Sequence, residues 1–204
     1  MLAIVDYGVV NLFSLRHSFA AIGVEAVVTS DAEVLRKADR IVLPGVGAFA
    51  DAAAKLHDTG LGDVVVEEAR KGKPLLGICL GMQMLFDKSF EYGEHKGLGL
   101  IPGEVRPIAG RIPEGYKIPH IGWNALAFPQ ESPLFKYIRE GDHVYFVHSY
   151  HAENCDPSTI AVTEYGGALT AAVAKGNVFG CQFHPEKSGT VGLNILRAFS
   201  EMEG

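Results

Sequence analysis

Apolar residues follow two alternating rhythms along the first half of the chain. Leu2–Val5 is a continuous apolar run ending at Asp6-Tyr7-Gly8, the pattern of a buried strand and its turn. Leu12, Leu15, Phe19 and Ile22 follow at spacings of three and four, which predicts an amphipathic helix stopped by Gly23. Val24–Val28 and Ile41–Leu43 predict two further strands. The turn-prone loop Pro44-Gly45-Val46-Gly47 comes next, and Phe49–Leu56 and Val64–Arg70 then read as helical. Leu75–Ile78 predicts another buried strand, with a helix over Leu80–Phe86 directly behind it.

Strands and helices in this order build a parallel sheet covered by helices on both faces. The second half changes character. Ile101–Phe128 is rich in Gly and Pro and holds short strands such as Tyr116–Ile118. His143–His148, Thr159–Glu164, Ala168–Ala174 and Val178–Phe183 read as consecutive strands, expected to extend the sheet antiparallel. Val191, Ile195, Ala198 and Met202 mark a closing helix. With no repeat or linker, residues 1–204 are expected to form one α/β domain with a mostly parallel central sheet.

Composition narrows the function classes. At 48% hydrophobic and 21% charged, the chain is not a disordered one. A net charge of −6 and no basic stripe argue against a nucleic-acid partner. Three cysteines are too few and too odd in number for a disulfide framework, so reduced thiols in a cytosol are expected. Met1-Leu2-Ala3-Ile4-Val5-Asp6 has neither the basic start nor the small-residue cleavage site of a signal segment, so none is expected, and no apolar run approaches the roughly 18 residues of a membrane span.

The strongest chemical signal is Gly77-Ile78-Cys79-Leu80-Gly81, a Gly-x-nucleophile-x-Gly stretch between a strand and a helix. Glycines on either side let the backbone bend sharply, and the helix N-terminus favours thiolate. The Leu80 N–H would then face a developing oxyanion. A buried, inert cysteine in a glycine-rich turn fits the same five residues. His184-Pro185-Glu186 follows another strand, so His184 can serve as a base and Glu186 can hold its tautomer; an exposed polar loop is the alternative. Pro44-Gly45-Val46-Gly47 can turn an N–H outward at Val46 or Gly47 to complete an oxyanion hole with Leu80, or can be a plain turn. His148-Ser149-Tyr150-His151 offers donors at a strand end, but no third ligand accompanies the two histidines, and no metal is expected. Cys155 and Cys181 lack the elbow context and read as structural.

Taken together, Gly77-Ile78-Cys79-Leu80-Gly81-Met82-Gln83 and His184-Pro185-Glu186-Lys187-Ser188 resemble class I (triad) glutamine amidotransferases. Asp6-Tyr7-Gly8, Leu43-Pro44-Gly45-Val46-Gly47, Pro119-His120-Ile121-Gly122-Trp123-Asn124 and Val147-His148-Ser149-Tyr150 are similar to the glutaminase-subunit family of imidazole glycerol phosphate synthase. That resemblance implies a flavodoxin-like amidotransferase fold and a triad of Cys79, His184 and Glu186. It implies glutamine contacts from Gly47, Gln83, Glu91, His148, Ser149 and Tyr150. It also implies a (β/α)8-barrel cyclase partner that takes up the ammonia in histidine biosynthesis, in the cytoplasm and with no cofactor. An isolated chain is expected to be nearly idle, with the Pro44–Gly47 loop as the switch. One departure is visible: the family opening usually reads Asp-Tyr-Gly-x-Gly-Asn, and Val10 replaces its second glycine. Competing readings are a cysteine peptidase or deglycase-type enzyme on the same scaffold, a degenerate regulatory module, and an amidotransferase of another pathway.

Overall fold

A computed structural model describes residues 1–9 and 12–204; Val10, with its departure from the family opening, and Asn11 lie outside the described residues. The first half runs β1 (Leu2–Val5), α1 (Leu12–Ala21), β2 (Ala26–Thr29), α2 (Ala32–Lys37), β3 (Arg40–Leu43), α3 (Phe49–Asp58), α4 (Leu61–Arg70), β4 (Leu75–Ile78) and α5 (Leu80–Gln83). The second half adds β5 (Phe86–Ser89), β6 (His95–Lys96), β7 (Ile101–Pro107), β8 (His120–Ala127), β9 (His143–His148), β10 (Tyr150–Glu153), β11 (Thr159–Glu164), β12 (Ala168–Lys175), β13 (Val178–Cys181) and α6 (Gly189–Ser200).

Nine strands form the main sheet in the order β2-β1-β3-β4-β13-β12-β11-β8-β9. The pairs from β2 to β13 are parallel, and from β13 outward to β9 they are antiparallel. Strand β13 is therefore the seam, pairing Gly180 with Gly77 and Cys181 with Ile78 of β4. Alternation along β1 divides the core between the two faces. Ala3 and Val5 pack with α3 and α4, whereas Leu2 and Ile4 pack with Leu15 and Phe19 of α1 and Ile195 and Phe199 of α6. Helices thus cover both faces, as the alternating pattern predicted.

Several details differ from the sequence expectation. The helix behind Cys79 ends at Gln83, not Phe86, because Phe86 enters β5 and pairs with Ile101 in a second sheet, β10-β7-β5-β6. Tyr116–Ile118 is not a strand; Tyr116 and Ile118 are exposed and the paired segment begins at His120. Strand β2 begins at Ala26, since the Val24 N–H is spent on the Phe19 carbonyl closing α1. Helix α2 was not expected; Asp31 caps it by accepting from the Glu33 N–H at 2.8 Å. Among the described residues no helix is long and apolar enough to cross a membrane.

Candidate active site

Strand β4 ends at Ile78 and α5 starts at Leu80, so Cys79 alone makes the bend. Its φ of +54° and ψ of −112° are unusual for a residue with a Cβ, a conformation that costs on the order of 1–3 kcal/mol. The neighbours hold it there: the Cys79 N–H donates to the Cys181 carbonyl at 2.7 Å, and the Gln83 N–H donates to the Cys79 carbonyl at 3.2 Å. The flanking glycines are required by close approach rather than by dihedral freedom. A Cβ on Gly77 would stand 2.6 Å from the Gly81 carbonyl oxygen, and one on Gly81 would overlap the Leu43 carbonyl. Helix α5 is a single turn of four residues, so the dipole expected behind the thiol is small and the main charge partner is the imidazole.

That imidazole is His184, placed where β13 stops at Cys181 and the chain bends. Its backbone is pinned: the His184 N–H donates to the Tyr145 carbonyl, and Ser188 Oγ donates to the His184 carbonyl at 2.6 Å. Nδ1 lies 2.8 Å from Glu186 Oε1, which fixes the proton on Nδ1 and leaves Nε2 for the sulfur. Burial works against a charge on this ring, but the Cys79 sulfur and the Glu186 carboxylate outweigh it and push the pKa up to about 10. Burial pushes the other two thiols, Cys155 and Cys181, up and keeps them protonated.

A cavity of about 570 Å³ opens over the sulfur. Val46, Gly47, Cys79, Leu80, Gln83, Glu91, His148, Ser149, Tyr150 and His184 all line it, so residues from five separate segments of the chain come together; Glu186 sits behind His184. Two expected roles are modified. The Leu80 N–H donates to the Gly45 carbonyl at 3.3 Å, so this oxyanion donor is occupied in the conformation seen. Both ring nitrogens of His148 are also taken, by His120 and by the Tyr150 carbonyl, so its ring is not free to contact a substrate. Glu91 projects from the β5–β6 connection and accepts from the Phe49 N–H at 3.2 Å; burial raises its pKa. Among the described residues no group of three His, Cys, Asp or Glu side chains could hold a metal ion.

Several residues of the site escaped the sequence reading. Gln182 accepts from Gln83 Nε2 at 3.0 Å and points its own Nε2 at the Cys79 sulfur, 3.9 Å away. The signal was a fully buried amide inside the apolar run 178–183. Tyr7 donates to the Pro44 carbonyl at 2.7 Å, holding the glycine loop from beneath, and burial with the nearby Cys79 charge pushes its phenol up. Tyr92, Pro107, Ile118 and Lys187 also line the cavity.

A strained thiol beside an imidazole that is itself oriented by a carboxylate, at the floor of a cavity, is the arrangement of a cysteine-nucleophile enzyme of the triad type. The model of the glutamine amidotransferase class-I family matches residues 3–201, and the chain belongs to that family. Within it, the chain is 48% identical over 99% of its length to a protein of Caldanaerobacter subterraneus subsp. tengcongensis, covering 98% of that relative, named imidazole glycerol phosphate synthase subunit HisH. A protein of Lactococcus lactis subsp. lactis with the same name is 49% identical, with 98% of each chain covered. Among solved structures, a glutamine amidotransferase superposes with a TM-score of 0.76 at 21% identity, covering 98% of this chain and 97% of the other. The PurLQS structure from Thermotoga maritima gives 0.73 at 21% identity, covering 98% and 96%. At these identities the two structures speak for the fold alone.

Proposed function

We propose that this chain hydrolyses L-glutamine to glutamate and ammonia and passes the ammonia to a (β/α)8-barrel cyclase subunit of imidazole glycerol phosphate synthase. The cyclase then makes imidazole glycerol phosphate and an aminoimidazole carboxamide ribonucleotide in histidine biosynthesis, in the cytoplasm. The name shared by the relatives supports the pathway and the subunit role. The observation that carries the chemistry is the convergence of Cys79, His184 and Glu186 under one cavity.

The Cys79 thiolate attacks the side-chain carboxamide carbon, and the oxygen takes up the negative charge. Leu80 N–H and an N–H of Val46 or Gly47 hold that oxyanion. His184 gives its Nε2 proton to the departing nitrogen, and ammonia leaves a glutamyl thioester. His184 then takes a proton from water as the water attacks the thioester, releasing glutamate and restoring the thiolate. Gln83, Glu91 and the Ser149–Tyr150 segment bind the zwitterionic end of the substrate.

The Leu80 N–H must leave the Gly45 carbonyl before it can hold an oxyanion. Turning the Gly45–Val46 peptide removes that acceptor and swings the Val46 N–H towards the cavity in one motion. A missing oxyanion donor costs about 3 kcal/mol in the barrier, so the chain alone is slow until its partner shifts the loop. The docking face is β8 and the loop before it, where Ile118, at the cavity wall, and Ile121 and Trp123, further along β8, stand 43%, 57% and 54% exposed.

Two measurements test the reading. A glutamine-mimicking chloroketone should alkylate Cys79 and spare Cys155 and Cys181; labelling elsewhere removes the nucleophile assignment. Glutamate release should rise at least about a hundredfold when the cyclase subunit and its nucleotide ligand are added; a chain already at full speed by itself overturns the gating.

A further inference from the structure

We propose that His120 is a positioning residue for the glutamine-contacting segment: it sets the tautomer of His148, and His148 in that tautomer holds the Tyr150 carbonyl. The inference rests on residues 148–150 being the glutamine contacts, as read above. The inner end of the chain of contacts is a group that has no choice. The Tyr150 carbonyl can only accept, and it does so twice, from Gln83 Nε2 at 3.3 Å and from His148 Nδ1 at 2.8 Å. His148 must therefore carry its proton on Nδ1, and a neutral ring then presents a bare Nε2. That atom lies 2.9 Å from His120 Nδ1, which must in turn be the N–H. Two tautomers follow from one carbonyl.

The far end of the relay is built differently. His120 Nε2 lies 2.7 Å from Asn124 Oδ1, and the amide is oriented by donating its Nδ2 to the Glu164 carbonyl at 3.2 Å. Acceptors thus cap both ends, and every bond is made only if His120 is doubly protonated. With His120 neutral, the link that yields is Asn124, the half-exposed member. The two inner bonds, from His120 to His148 and from His148 to Tyr150, are the same in either state. Burial lowers the pKa of His120, and lowers that of His148 to about 3, so the inner pair works as neutral rings.

Packing leaves neither ring freedom to turn. His120 is fully buried between Phe146 and Tyr165, with ring centroids 5.0 and 4.0 Å away. The relay also has a direction. It begins on β8, whose following residues Ile121 and Trp123 are exposed, and ends beside Gln83 in the cavity. Meanwhile the Ser149 carbonyl accepts from the Ile108 N–H at 2.9 Å. The carbonyls of Ser149 and Tyr150 are thus both taken up by the protein.

The test combines spectroscopy on the full chain with kinetics in the presence of the cyclase subunit. Long-range 15N–1H spectra of histidine-labelled protein should show His148 protonated on Nδ1 with Nε2 bare, and His120 protonated on Nδ1. His120→Asn, whose amide can donate in place of Nδ1, should keep KM for glutamine within about twofold. His120→Leu should raise KM about tenfold and leave kcat within about threefold. A wild-type His148 signal with the proton on Nε2 overturns the relay, even if His120→Leu fails to fold. An unchanged KM in a folded His120→Leu chain overturns it too, as does an equal fall in kcat for both variants. Should the tautomers appear as stated while the wild-type chain releases no glutamate, the relay stands and the glutaminase reading falls.

Discussion

Cys79 and His184 share one proton economy, and its consequences are measurable residue by residue. The imidazole titrates near 10 in the folded chain against an ordinary value of 6.5. A folded value above the unfolded one means the pair stabilises the fold fully below about pH 6.5, and that contribution is lost as pH rises through about 10. Glu186→Gln removes one of the two partners that raise the pKa. Denaturant unfolding measured from pH 6 to pH 10 should then show the alkaline loss beginning at lower pH; a superimposable alkaline limb would rule the coupling out. Cys79→Ser should reduce glutamate release by at least about a thousandfold while the complex still uses added ammonia.

At the scale of elements, the site is set by how closely the ends of β3 and β4 approach. A Cβ on Gly81 would overlap the Leu43 carbonyl, so Gly81→Ala must push the start of α5 away from the end of β3. We expect a loss of roughly 1–3 kcal/mol in stability together with loss of the elbow geometry, read by thermal unfolding and by the chloroketone reaction of Cys79. Tyr7→Phe deletes the hydroxyl that anchors the Pro44 carbonyl and leaves the ring in its buried place. The glycine loop should then move more easily. Partner-independent glutamate release is expected to change severalfold, while the stimulated rate changes less; identical ratios in variant and parent would show that the hydroxyl plays no part in loop position.

On the scale of the whole molecule, the partner subunit we propose docks on a face that the chain by itself leaves open. Ile121 and Trp123 occupy alternate positions on β8, so both project to one side. Trp123→Ala should weaken binding of the cyclase by tenfold or more in a calorimetric titration, since a half-exposed aromatic anchor is where interface energy concentrates. The same change should leave the unfolding of the free chain within about 0.5 kcal/mol of the parent. A large loss of stability with unchanged binding would assign Trp123 to the fold instead.

The local pattern of this chain was enough for the elements whose causes are local. Apolar runs bounded by turns located β1, β3 and β4, three- and four-residue spacing located α1 and α6, and a supply of good helix formers located α3 and α4. The elbow was readable as a pattern because glycine stands on both sides of Cys79, yet only the demand on Gly77 is local, set by the Gly81 backbone, while the demand on Gly81 comes from the remote Leu43 carbonyl. What the sequence could not contain is distance between segments. Phe86 looked helical until Ile101 paired with it, and Gln182, Tyr7 and His120 matter only because remote backbone atoms, the Pro44 and Tyr150 carbonyls among them, meet their side chains or their neighbours. The expected oxyanion donor is likewise occupied for a tertiary reason, since the Gly45 carbonyl comes from another strand end. Short-range sterics and periodicity belong to the sequence; hydrogen-bond partners more than a hundred residues apart are chosen only when the sheet closes and buried donors and acceptors must find one another.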